Sequence, residues 1–135
     1  MTAIAKDSHF VMAGSMDSFN APFVPLFDLA VHITADAEIR LARIRKREYK
    51  TFGDRIMPGG DMYEDHQRFL ESAARYDTDG SPNIETHMQW AATLPCRVIF
   101  LNGTDDLCKN TQKIVDEYYK YALNPCIPFS VFNEI

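Results

Sequence analysis

Cysteine is scarce and odd in number. Cys96, Cys108 and Cys126 are the three in 135 residues, and no two form a C-x-x-C pair. Neither a disulfide framework nor a zinc ribbon is therefore expected, and buried reduced thiols are. Long hydrophobic runs are also missing. No stretch approaches the ~18–20 apolar residues that a membrane span requires. The opening Met1-Thr2-Ala3-Ile4-Ala5-Lys6-Asp7 lacks the basic-then-apolar order of a signal peptide. A cytoplasmic protein without a membrane partner is the expectation. Neither sign of charge dominates: 14 cationic and 19 acidic residues give −5, so nothing draws the whole chain to nucleic acid or anionic lipid. Repeats and low-complexity tracts are absent as well.

What is present is the balance of a globular domain, 46% apolar and 24% charged. The length suits one domain. Strand and helix patterns alternate, which predicts an α/β protein with a mainly parallel, three-stranded sheet. Strands are expected at His9–Ala13, at the almost uniformly apolar Leu29–Thr34, and at Arg97–Leu101. A short turn of helix at Asn20–Phe27 is cut off by Pro25. Helices are expected over Ala37–Tyr49, capped by Thr34 or Asp36, and over Met62–Tyr76, Ile84–Thr93 and Asp106–Ala122. Thr51–Asp61 holds half of the six glycines and reads as a mobile loop. The tail, residues 124–135, carries two prolines and several large apolar residues, and irregular surface packing is expected there.

One local feature stands above this background. Arg40, Arg43, Arg45, Lys46, Arg47, Lys50 and Arg55 are seven of the fourteen cationic residues, gathered in sixteen positions. Arg40, Arg43 and Arg47 follow i, i+3, i+7 spacing and share one helical face, while Ala37, Leu41 and Ile44 share another. A row of guanidiniums repels itself unless anions face it, and the planar fork of arginine fits phosphate oxygens two at a time. Arg55, on the glycine-rich segment, completes an apparent clamp for polyphosphate. The bland alternative is a solvated face whose arginines pair with Glu38, Glu48 and Asp54.

From Asp28 to Tyr76 the chain resembles the strand–helix–lid–helix segment of the P-loop nucleoside and nucleotide kinases. Asp-Leu-Ala-Val-His-Ile-Thr is followed by Glu38-Ile-Arg-Leu-Ala-Arg-Ile-Arg-Lys-Arg-Glu48 and then the glycine-containing loop. Deoxynucleoside kinase-, uridine kinase- and thymidylate kinase-like proteins similarly place R-x-x-x-R and an acidic residue before a lid; Arg43, Arg47 and Glu48 match. Asn102-Gly103-Thr104, before a helix begun by acidic residues, is similar to the loop on which these kinases rest adenine. The resemblance implies an ATP-dependent phosphotransferase using magnesium on a nucleoside or nucleotide. Arg43 and Arg47 would act on the transferring phosphoryl group. Arg55, Arg68 (with Arg75 as alternative), Asn102, Gly103 and Thr104 would bind nucleotide, with residues 50–61 as the lid of a partial domain over 1–123.

The family's G-x-x-x-x-G-K-[ST] loop, whose backbone N–H groups and lysine hold phosphates, has no counterpart here. Gly14-Ser15 lacks the lysine and Lys50-Thr51 lacks the glycine. Ala13-Gly14-Ser15 stands where the family's magnesium carboxylate is expected, and Asp17 is the nearest acid. The chain thus resembles the C-terminal portion of such a kinase, with roughly 70–80 residues absent on the ~30 residues per βαβ unit of such folds. In the family's strand order, 2-3-1-4-5, the absent first strand would leave a gap, so that strands either shift together or keep unpaired edges. Two other classes stand beside the kinase reading. One is a non-catalytic module binding anions or a chain with the missing half; the other is a nucleic-acid binder using the Arg40–Arg55 segment, which the acidic balance argues against.

The remaining candidates read as structure. Met62–His66 and His87 lack H-x-x-x-H or H-E-x-x-H spacing and read as a solvated helix start, with no metal site. His32 reads as a hydrogen-bonded core residue. Ser15 has no G-x-S-x-G elbow around it. Cys96 and Trp90 read as packing.

Overall fold

A computed structural model describes residues 10–15 and 21–122. The apolar Leu29–Thr34 forms strand β1, and Arg97–Asn102 forms β2. The two pair in parallel with Leu29 opposite Arg97 and Thr34 opposite Asn102. Between them lie α1 (Ala37–Phe52), α2 (Tyr63–Ala74) and α3 (Ile84–Ala92), and α4 (Leu107–Glu117) follows β2. A mixed α/β chain with long helical crossover is what parallel pairing demands, since parallel neighbours cannot be joined by a hairpin.

The expected third strand is not formed. Phe10–Ala13 joins no ladder, and His9, like Asp17, Asn20 and the tail 124–135, lies outside the described residues. Among the described residues the sheet is two-stranded, and β1 has a strand on one edge only. Burial explains the miss. Val11 is 96% exposed, so the alternating pattern has nothing to bury, and Phe10 is instead held by its ring against Phe27, 6.4 Å away. Of the Asn20–Phe27 turn, Val24–Leu26 forms a single turn of 3-10 helix that accommodates Pro25 in its first positions.

Helix ends follow their chemistry. Asn83 and Thr86 form a reciprocal capping box at the start of α3, and Asp106 accepts from the Lys109 N–H at the start of α4. The last helix ends at Glu117 and widens into π geometry over Tyr118–Ala122. The second helix ends at Ala74, with 3-10 geometry over Arg75–Asp77.

The segment expected as an open flap is folded. The first helix continues through Phe52 and breaks at Gly53, whose φ of +58° favours glycine. A 3-10 turn over Gly53–Ile56 then drives Ile56 into the core, 4% exposed. The Met62 N–H donates to the Arg55 carbonyl at 3.0 Å, and the Gly60 N–H to that of Met57 at 2.8 Å. Composition identified the glycines, but it was the buried isoleucine that decided their conformation. The core around this turn also takes Ile44 and Leu70; a second group, Ala91, Leu94, Cys96, Ile99 and Leu101, gathers at α3 and β2.

Gly60 is a point of close approach. A Cβ there would lie 2.2 Å from the Arg55 carbonyl oxygen, a backbone atom that cannot swing aside. Gly60→Ala is expected to lower stability by about 1–3 kcal/mol through overpacking, and Ile56→Ala by about 2–5 kcal/mol through the cavity it leaves. Urea melts of the three proteins check both; a Gly60→Ala midpoint equal to that of the parent contradicts the closed turn.

Candidate functional site

The face of α1 that carries Arg40, Arg43 and Arg47 borders a concave site of about 450 Å³ at the carboxyl ends of the two strands. Ile33 and Thr34 from β1, Ala35 just after it, Ile44 from α1 and Gly103 after β2 complete its lining. Ile33 is 57% exposed because it faces this space. In open parallel sheets, the crevice beyond the strand ends is where ligands bind.

The three arginines on that face have different work. Arg40 is structural: its guanidinium donates to the carbonyls of Ala35 (2.7 Å) and Ala73 (3.1 Å) and meets Asp77 at 2.8 Å. It also lies over the Tyr76 ring, 5.2 Å from the centroid, a cation–π contact. Arg43 donates from Nη1 to the Gly103 carbonyl at 2.8 Å, which turns its guanidinium toward the groove. Arg47 is 66% exposed and reaches only Glu48, at 3.8 Å. Neither Arg43 nor Arg47 is committed to a close carboxylate.

The expected site arginines beyond α1 are committed. Arg55 grips Asp61 through two hydrogen bonds, 2.9 and 2.6 Å, and Arg75 grips Asp79 through 2.9 and 2.7 Å. Arg68 pairs with Asp65. The hydrogen bonds from Arg75 hold the Asp79 carboxyl down at about 2, and those from Arg55 lower that of Asp61. The structure therefore brings together Arg43, Arg47 and Gly103 of the expected site residues, and turns Arg55, Arg68 and Arg75 to neighbouring acids.

The turn after β2 is closed upon itself. The Gly103 N–H donates to the Thr34 carbonyl at 2.6 Å, and a Cβ at Gly103 would stand 3.0 Å from Ile33. Asn102 accepts through Oδ1 from both the backbone N–H (2.9 Å) and the hydroxyl (2.7 Å) of Thr104. The Asn102 carbonyl takes the side-chain amide of buried Asn110 at 2.7 Å. Glu48, beyond Arg47, stands 3.6 Å from Nδ1 of His66, which is 6% exposed and so no part of a solvated helix start.

A second polar group, which the spacing of the sequence did not reveal, links three elements and the segment at Ser15. The Ser15 hydroxyl lies 2.7 Å from His87 Nε2, His87 Nδ1 lies 2.8 Å from the Tyr76 hydroxyl, and that hydroxyl lies 3.1 Å from His32 Nε2. Ser15 and His87 are 72 positions apart, so no local motif announces their meeting. Burial, and then the nearby His87, lower the His32 pKa. Among the described residues no three of His, Cys, Asp and Glu gather as metal ligands, and no helix is long and apolar enough to cross a membrane. Cys96 is buried and Cys108 exposed, both free thiols, and burial raises the Cys96 pKa.

No family model and no solved structure matches the chain. It is similar to the uncharacterised protein YqaC of Bacillus subtilis (strain 168), with 28% identity over 109 residues. The match takes in 79% of this chain and 61% of YqaC, so the chain spans less than two thirds of that relative's length.

The depressed His32 pKa fixes a sign for pH dependence. Unfolded, His32 takes a proton near pH 6.5; folded, it stays neutral to lower pH. Acidification through and below that value thus favours the unfolded chain, and stability falls as pH drops from 7.5 to 5.5. Denaturant melts at the two pH values check this, and His32→Asn is expected to shrink the difference.

Proposed function

We propose that this chain is the phosphate-gripping portion of an ATP-dependent phosphotransferase of the nucleoside or nucleotide kinase type. One observation carries the reading. Arg43 and Arg47 are left without close carboxylate partners on one turn of α1, at the groove beyond the ends of two parallel strands. Every other arginine of the expected site is already neutralised by an aspartate. Two guanidiniums one helical turn apart suit a run of phosphoryl oxygens better than a single carboxylate. Phosphoryl transfer depends on positioning and charge neutralisation, which is the service such a pair supplies. Adjacent parallel pairing of β1 and β2 also agrees with the last two strands of the 2-3-1-4-5 order implied by the resemblance.

Other parts of that resemblance receive less support. No carboxylate cluster suits magnesium among the described residues, so no step is assigned to it. The Asn102–Thr104 turn spends its hydrogen bonds internally and offers adenine a surface, not a set of waiting donors. No G-x-x-x-x-G-K-[ST] string occurs in these 135 residues. That favours, as the second reading, a non-catalytic anion-binding module built on the same groove.

Titration of the chain with tripolyphosphate and with ATP separates these from a merely solvated helix. Arg43→Ala and Arg47→Ala are each expected to weaken binding about tenfold or more, as loss of a charge-assisted contact implies. Arg55→Ala and Arg68→Ala are expected to change it less than about twofold, as exposed pairs allow. Equal losses in all four variants, or no binding by the parent, sink the groove reading. Phosphate transfer from ATP to a panel of nucleosides by this chain alone would overturn the need for a separate phosphate loop.

A further inference from the structure

We infer that Glu48 and His66 are positioning residues for Arg47, which a polyphosphate draws off Glu48 while His66 takes up a proton from solvent. This coupling rests on the phosphate-gripping reading of the groove and adds a proton to it. Its basis is a carboxylate held between two partners and bonded to neither. Glu48 turns Oε1 toward the Arg47 guanidinium at 3.8 Å and Oε2 toward His66 Nδ1 at 3.6 Å. Both separations exceed hydrogen-bond length. Yet the Glu48 side chain is only 19% exposed, so water serves it poorly, and the His66 ring is buried. Nδ1 of that ring has no hydrogen-bond partner.

Such a group has two arrangements. In one, Glu48 keeps Arg47 as its cation. In the other, Arg47 has turned to phosphoryl oxygens, which its planar fork takes two at a time. Glu48 then lacks a positive neighbour, and His66 can supply one. Whichever nitrogen carries the proton of the neutral ring, the charged ring has N–H on both. The N–H on Nδ1 meets Oε2 after an approach of under ~1 Å, to the ~2.7–2.9 Å of a charge-assisted bond. Histidine is the side chain whose charge changes most readily near neutral pH. Arg43 stands outside the exchange, because its contact is with the Gly103 carbonyl.

The other charges around this end of α2 are engaged elsewhere or exposed. On the Gly53–Ile56 turn, Asp54 accepts from the Tyr49 hydroxyl and Arg55 grips Asp61. On α2 itself Asp65 pairs with Arg68, and beyond its far end Asp77 meets Arg40 and Asp79 meets Arg75. Arg45, Lys46 and Lys50 of α1 and Glu64 and Glu71 of α2 are exposed. Among the described residues, Glu48 is the carboxylate within 4.0 Å of the His66 ring. By reciprocity, an anion that favours the charged ring binds more tightly where that ring is charged, so affinity rises as pH falls.

The test uses the full chain titrated with tripolyphosphate, with the His66 imidazole resonances followed by NMR from about pH 8 to about 5.5. Saturation is expected to raise the pH at which His66 takes its proton by about half a unit or more, which by linkage is about threefold in affinity. Arg47→Ala and Glu48→Gln, each saturated, are expected to lose that rise, and Arg43→Ala, saturated, to keep it. Between pH 7.5 and 6, affinity is expected to gain about threefold relative to Glu48→Gln, a ratio in which the ligand's own protonation cancels. The His66 resonances are read on the parent protein, so a variant that fails to fold does not remove the test. Binding without a rise at His66, or an equal rise in Glu48→Gln, overturns the coupling and leaves the groove reading standing. No binding by the parent overturns both.

Discussion

Mutual repulsion among crowded guanidiniums is the constraint around which this fold is arranged. Seven cations in sixteen positions cannot share a helix and its following turn without compensation. For two of the seven the chain answers with aspartates, one near in sequence and one far. Asp61 takes Arg55, while Asp77, brought in from beyond α2, takes Arg40. Exposed pairs of this kind add little stability, typically under about 1 kcal/mol. Their consequence is selective: two of the seven cations are met by aspartates, and of the three arginines that line the groove Arg43 and Arg47 are the ones left without one among the described residues. The Arg40 pair does more, because its guanidinium also accounts for the carbonyls of Ala35 and Ala73 and so fastens the exit of β1 to the end of α2.

Much of the secondary structure was legible because it rests on local signals. The apolar run Leu29–Thr34 and the strong helix formers after Asp36 needed no tertiary information. The helix starts at Ile84 and near Asp106 were placed from the sequence, and the structure adds the caps that fix them, Asn83 and Asp106. Where long-range burial decides, the sequence misled. Val11 sits in a strand-like pattern but meets solvent, and Ile56 sits among glycines yet belongs to the core. His66 carried the polar signature of a helix start and is buried.

The candidate site shows the same division. Helical spacing correctly placed Arg40, Arg43 and Arg47 on one face, since that follows from 3.6 residues per turn. It could not say which of them the protein would keep for itself. That depended on Asp77, thirty-seven positions from Arg40, and on the Gly103 carbonyl, sixty positions from Arg43. The histidine–tyrosine group was invisible for the same reason. Its members come from four separate stretches of chain, and each looked ordinary alone.

The hydrogen bond from Arg43 to Gly103 has an entropic meaning. A long cationic side chain ordinarily surrenders rotamer freedom, about 0.5–1.5 kcal/mol, when it clasps a ligand. Here a backbone oxygen has already imposed that loss during folding, on a side chain that lines the groove. The latch also joins α1 to the turn that closes the parallel ladder, through the Gly103 N–H to Thr34. The position of the guanidinium is thereby tied to the strand ends.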